Sequence, residues 1–499
     1  MMTTRWPVSV LVMAALASTP VAAATFFVAT GGSNSTGDGS AGNPWATITH
    51  AVDNASGGDE IIVRPGTYDG RQSLRQQFDS PVLVRSEIPY AARLRHDAGA
   101  ALIAYTGRNI VVEGFDIAHA PSNSQGLVIQ IQDLLGDFNG SNGGTDAVVS
   151  DITLRNNIIH SSTNNDLLKI NNGAERIRVE GNLFFNQEGS DEHIDINSVI
   201  DVEVVDNVFM NTADRPDTSS FVVIKDSNGN DDTVLGTEDV HLHRNIFLNW
   251  FGSSGQSFVR LGEDGTSNFE AFDVLIENNL MLGNSGALIR TALTIQGSRD
   301  VLFRHNTISG DLPARSYVGR FLAGGSNPPN QDLTLVNNVF SDPTGSMGSE
   351  AFNGVDFIDA PAGQTINSVL DNNHYYNGGN PIPLDAGQAI DFSDDANASL
   401  GAPLLVDPAS VVVPLWDGTR FAEGSNSIRE AFERLVRCYA APKRGSPLID
   451  AAAPGNSPAV DILGRTRDAN PDLGAFEQLP SVDGLFADRF ERDACAGPA

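Results

Sequence analysis

The chain has 499 residues, with 31 Lys and Arg against 62 Asp and Glu, and a formal charge of −31. That acidity excludes nucleic acid as a partner, because binding it needs a basic face. Charge screening over about 8–10 Å still lets a local cationic cluster hold a polyanion. The length excludes one compact core unless the fold is elongated or repetitive.

Residues 1–24 read as a secretory signal: Arg5, an apolar run over 8–17, then Ala22-Ala23-Ala24 as a small-residue cleavage site. No later stretch approaches the ~18 apolar residues of a membrane span. The expectation is a secreted, periplasmic or cell-surface protein with no transmembrane segment after cleavage. Cys438 and Cys495 are the two cysteines of the chain. In an oxidising compartment they would pair and tie down the tail, or stand as free thiols, and the sequence leaves both open.

The stretch "NPWATITHAVDNASGGDEIIVRPGTYDG" predicts a short helix after Pro44, ended by Gly57-Gly58, then a strand over 60–64 and a turn at Gly66. Such a helix would cover the open end of a stack of strands.

A repeat follows. "DITLRNNII", "RIRVEGNLFF", "DVEVVDNVFM", "DVHLHRNIFL", "DVLIENNLML", "DVLFRHNTIS", "DLTLVNNVFS" and "NSVLDNNHYY" each set apolar residues at period 2 before an asparagine and a second short apolar run. The asparagines are Asn157, Asn182, Asn207, Asn245, Asn279, Asn306, Asn338 and Asn373, at intervals of 25, 25, 38, 34, 27, 32 and 35 residues. Period-2 strands returning at this spacing predict a parallel β-helix, whose coils stack about 4.8 Å apart. An asparagine at one corner of each coil can bond its counterparts above and below, so the eight are read as a structural ladder.

After each ladder residue a second strand follows: "NNDLLKINNG", "SDEHIDINSV", "SSFVVIKDSN" and "QSFVRLGEDG". Strict alternation turns Lys169, His193, Asp195, Lys225 and Arg260 outward over four coils. Further on, "SIREAFERLVRC" carries Ile428, Phe432 and Leu435 at helical spacing, a helix expected to pack on the last coils.

The segment "FFVATGGSNSTGDGSAGNPWATITHAVD…GDEIIVRPGTY" resembles the opening of secreted right-handed β-helix proteins, notably polysaccharide lyases. "GSPLIDAAAPGNSPAVDILGRTRDANPDLGAFE" resembles the end module of bacterial choice-of-anchor Q proteins, and "VDGLFADRFERDACAGPA" a tail found on exported bacterial proteins. The organisation expected is a right-handed parallel β-helix over 25–400 with an N-terminal helical cap, a β-rich closing module over 401–478 and a tail over 479–499. The run "FVVIKDSN…SFVRLGEDG" is similar to the active-site coils of chondroitinase B and alginate-lyase-type enzymes. The resemblance implies β-elimination on a uronate polysaccharide, with Lys225 as base and Arg260 on the sugar carboxylate; Lys169, His193 and Asp195, turned outward on the same sheet, are the residues expected to contact substrate. Lys225 would have its pKa lowered by neighbouring cations. The chain departs from that family at Leu261, where a histidine is expected, and at Thr218 and Ser220, where calcium ligands are expected. Glu192 and Asp195, one coil earlier, are the acids available in their place.

"DSNGNDD" sets Asp226, Asn228, Asn230 and Asp232 at alternate positions, as calcium loops do, but without the EF-hand glycine and glutamate. Calcium is the one cofactor suggested; no nucleotide-binding motif and no zinc spacing is present. Two rival readings stay open: a glycoside hydrolase using acids among Asp191, Glu192 and Asp195, and a carbohydrate-binding surface protein without catalysis.

Overall fold

The computed structural model describes residues 23–122, 125–133, 148–189, 191–212, 218–226, 234–254, 256–348 and 356–479. Three long parallel sheets run the length of the molecule, with 12, 10 and 12 strands. In each, neighbouring strands come from successive turns of the chain. This is a right-handed parallel β-helix.

The register explains the sequence pattern. On the inward face of the first sheet Leu154, Val179, Val204, Leu242, Ile276, Phe303 and Leu335 form one column. Inside the third sheet Phe184, Phe209 and Phe247 stack face to face at 5.1 and 5.0 Å between ring centres. Like side chains recur because each coil places the same position one strand spacing above the last.

The eight asparagines form the column expected of them. Each main-chain N–H donates to the Oδ1 of the next asparagine at 2.8–3.0 Å, and each Nδ2 donates to the same oxygen at 2.9–3.2 Å. A second Nδ2 hydrogen goes to a backbone carbonyl, for instance that of Val204 from Asn245. The column ends on a residue the repeat pattern does not reveal. Asp395 accepts from the N–H and Nδ2 of Asn373 and from the Tyr375 hydroxyl. The residue before each ladder asparagine lies in the left-handed region, from Asn156 (φ 54°) to Asn372 (φ 55°). This tight corner is one that Asn, Asp and Gly adopt most readily.

Helix α1 (Ile48–Asn54) covers the first coil, with Thr47 capping its N-terminus and Ile48, Ala51 and Val52 buried. The far end of the chain differs from the expected β-rich module. Among the described residues after 400, regular structure is a 12-residue helix, α2 (Ile428–Tyr439), with short 3₁₀ turns and isolated bridges. This segment forms a strap along the flank. It runs from the last coil to Trp416, which meets Tyr90 and Asp116, and then returns through α2 to Ala475 beside Thr307. Helix α2 therefore packs on the middle coils, where its Ile428, Phe432 and Leu435 join Ile158, Leu183, Val208, Ile246 and Leu280. Those five residues form the outward row of the third sheet. Its strands are apolar on both faces because the strap covers the second one. Cys438 on α2 is buried and disulfide-bonded; Cys495 lies outside the described residues, as do residues 1–22. No helix among the described residues is long and apolar enough to cross a membrane.

Candidate functional site

The second sheet carries the chemistry. Its outward row reads Lys169, Asp195, Val223, Arg260, Thr294, Arg320 and Asp359 across successive coils. Lys225 stands two residues further along its strand, in the row of Asn171 and Asn197.

Three carboxylates converge at one end of this row. Asp166, Glu192 and Asp195 each offer an oxygen within 4.8 Å of the others, and all three are buried. Asp166, which the sequence reading missed, sits two residues before Leu168, just as Glu192 sits two before its register partner Ile194. The two acids stack, and Asp166 Oδ1 accepts the Glu192 N–H at 3.0 Å. Lys169 pairs with Asp195 and lies 3.9 Å from Asp166. Lys225 Nζ is 2.6 Å from Glu263, 3.8 Å from Asp195 and 3.9 Å from Asp264. Arg260 binds Glu263 at 2.7 Å and the carbonyl of Gly262 at 3.0 Å. Gly262 has φ 75°, and a Cβ there would run into the Gln296 carbonyl. Glu270 holds the loop that carries these acids, accepting the N–H groups of Glu263, Asp264 and Gly265 at 2.7–2.9 Å.

The electrostatics correct the expectation for Lys225. Burial alone would lower its pKa, but Asp195 and Glu263 outweigh burial and raise it. Lys169 is pushed up to about 12 against the same burial, by Asp195 and Asp166. The acids bear the complementary strain. Burial and the charge of Asp195 push Asp166 up to about 8, and burial with the charge of Asp166 raises Glu192. Carboxylates packed this closely resist ionising together.

His193 does not face outward. It is fully buried, with its ring centre 4.6 Å from that of Phe221, and burial holds its pKa down to about 3. The alternation assumed for 192–197 begins only at Ile194, because Glu192 turns out at the corner and His193 turns in. Asp226 is also no open ligand: its oxygens accept from Ser198, Gly236 and Asn268. Asn228, Asn230 and Asp232 lie outside the described residues.

At the other end of the row four arginines gather. Arg320 and Arg315 share Asp359 at 2.6 and 3.4 Å. The Arg290 pKa is lowered by burial and then by the charges of Arg320, Arg315 and Arg260. The sequence reading found Arg260 alone. Arg320 was legible as its register mate, whereas Arg290 and Arg315 lie just before their strands, where alternation says nothing.

Glu203, His241 and His243 on the first sheet also bring ligand atoms within 4.8 Å. There Arg178 pairs with Glu203, and Arg244 and Arg304 stand beside the histidines and Glu277. Its acids are already engaged in ion pairs with Arg178 and Arg304.

A model of a protein family of unknown function, DUF1565, matches residues 30–88, the cap and first coils. No curated protein matches. Pectate lyase Pel9A superposes with a TM-score of 0.53 at 15% identity, covering 91% of this chain and 96% of its own. XylC in complex with xylose gives 0.50 at 11% identity, covering 91% and 98%. The likeness is one of fold.

Proposed function

We propose that the chain is an exported, carbohydrate-active enzyme that cleaves a uronate-containing polysaccharide by β-elimination along the second sheet. The observation that carries this is the pairing of a buried carboxylate trio and two lysines with a patch of four arginines, along the second sheet of a strongly acidic protein. The trio, Asp166, Glu192 and Asp195, offers only oxygen, which suits a hard cation such as Ca²⁺ rather than a transition metal. Bound there, the ion would polarise a sugar carboxylate and acidify the adjacent C–H.

The chain's own groups supply the rest. Arg260, Arg290 and Arg320 orient the uronate carboxylates along the row, as guanidinium forks do. Lys225 keeps its proton while the charges of Asp195, Glu263 and Asp264 hold it. Once cationic charge offsets those acids, its amine is freed to take the C5 proton as the C4–O bond breaks. The lysine is thus a base gated by the acids around it.

The test is a panel of uronate polysaccharides with and without chelator. Unsaturated ultraviolet-absorbing ends that require Ca²⁺ and Lys225 support the reading. New reducing ends without that absorbance would shift the assignment to a glycoside hydrolase. For that reading Asp166, whose pKa burial and the charge of Asp195 raise, joins Glu192 as an available acid. Binding without cleavage would leave a lectin-like surface.

A further inference from the structure

The third sheet holds a second constellation, on a different side of the solenoid. His160 Nδ1 lies 2.8 Å from the Ser161 hydroxyl, and His160 Nε2 lies 3.0 Å from Asp116 Oδ1. The three residues line a cavity of about 500 Å³ beneath the turn of the strap at Trp416. A neighbouring cavity of about 430 Å³ shares His160 and Ser161 with it, so both cavities border this pair.

The geometry selects one tautomer. Asp116 is buried, yet His160 and Arg95 outweigh burial and hold its pKa down to about 2. An ionised carboxylate only accepts, so Nε2 carries the imidazole proton and Nδ1 presents its lone pair to Ser161. The histidine ring is fixed, stacked on Phe185 at 4.7 Å and 3° from parallel. Asp116 is fixed as well, by Arg95 Nη2 at 2.5 Å and by the Trp416 indole N–H at 3.3 Å.

Nothing in the coil demands these residues. One turn later Phe185 stands in register with His160, and Asn186 takes the left-handed corner that Ser161 occupies at φ 53°. The fold fills that corner with asparagine again at Asn249. Serine beside histidine is therefore a departure from the repeat, at a point where a carboxylate and a cavity also meet.

We propose that Ser161, His160 and Asp116 are the nucleophile, base and orienting carboxylate of an acyl-ester hydrolase site acting on acylated saccharides. Ser161 Oγ would attack the ester carbonyl, its proton passing to His160 Nδ1. The acyl–O(sugar) bond breaks, and the sugar alkoxide takes that proton. Water then adds to the acyl-serine, again losing a proton to His160, and the carboxylic acid leaves as the serine is restored. Arg93, whose guanidinium binds the Gly418 carbonyl at 2.6 Å, lines the cavity and offers further N–H groups to the developing oxyanion. Trp416 supplies an aromatic face for a sugar ring.

Three readouts on the full chain test this: labelling by a fluorophosphonate probe with peptide mapping, hydrolysis of p-nitrophenyl acetate, and acetate release from acetylated polysaccharide. The expected result is label on Ser161, and hydrolysis reduced on the order of 10³-fold or more in Ser161→Ala, the scale of losing a serine nucleophile. Ser161→Asn, which installs the residue used one coil later, should fold, melt as the parent does and be equally inactive. Label elsewhere, no ester hydrolysis, or hydrolysis that survives in Ser161→Asn would overturn the proposal.

Discussion

The asparagine ladder and the outward row of the second sheet are both columns of polar side chains one coil apart, yet they obey opposite rules. In the ladder every rung is the same neutral group, and each rung satisfies the next. In the outward row Lys169, Asp195, Val223, Arg260 and Thr294 all differ, and charge is concentrated rather than cancelled evenly. On a solenoid, repetition marks what holds the coils together, and a break in repetition marks what the surface is for.

Substitutions should separate the two columns. The largest effect is expected at Lys225→Ala: a loss of about 10²–10⁴-fold in lyase turnover, the range of a general base. Its melting temperature should stay near that of the parent. Asn245→Leu should do the reverse. It strips the acceptor from the N–H and Nδ2 of Asn207 and the Nδ2 donor from Asn279 Oδ1, leaving that oxygen only the main-chain N–H of residue 245. We expect about 3 kcal/mol or more of lost stability by denaturant titration, since each buried orphan costs about 1–3 kcal/mol. Ca²⁺ at 100 times its dissociation constant should stabilise the parent by about 2.7 kcal/mol. Glu192→Gln should abolish that gain, whereas no ladder variant should.

The smallest effect probes the strap. His305 is buried against Ser457 and the Gly474 carbonyl, and burial and then Arg467 hold its pKa well below 6.5. Its stabilising contribution is complete above pH 6.5, the unfolded value, and drains away as the pH falls below it. His305→Asn puts in place the residue found at the matching corners 278, 337 and 372. It should move the acid-unfolding midpoint to lower pH.

Local rules account for what the sequence revealed. All eight ladder positions were readable because a corner asparagine recurs with the coil whatever the loop length. Lys169, Asp195 and Arg260 were correctly placed on one row because alternation holds within a strand. His193 was misplaced because alternation fails at a corner. There its ring packs in the interior against Phe221, which in turn stacks on Phe258, so the neighbouring coils were the better guide. Asp166, Arg290 and Arg315 precede their strands, so stacking shows them and periodicity does not. The strap was foreseen as a β-rich closing module with one helix on the last coils, since its docking site depends on contacts more than 300 residues away in sequence.

That strap changes how the solenoid should unfold. A stack of coils touching only nearest neighbours tends to fray from its ends, each repeat opening almost alone. Here Arg93 is tied to Gly418 and Asn278 to Arg467 and Val460, so one excursion of chain clamps coils far apart along the axis. Opening any of them first requires peeling the clasp, which couples early and late turns into a single all-or-none transition. The same contacts have very large sequence separation, so the clasp can engage only after the coils beneath it exist.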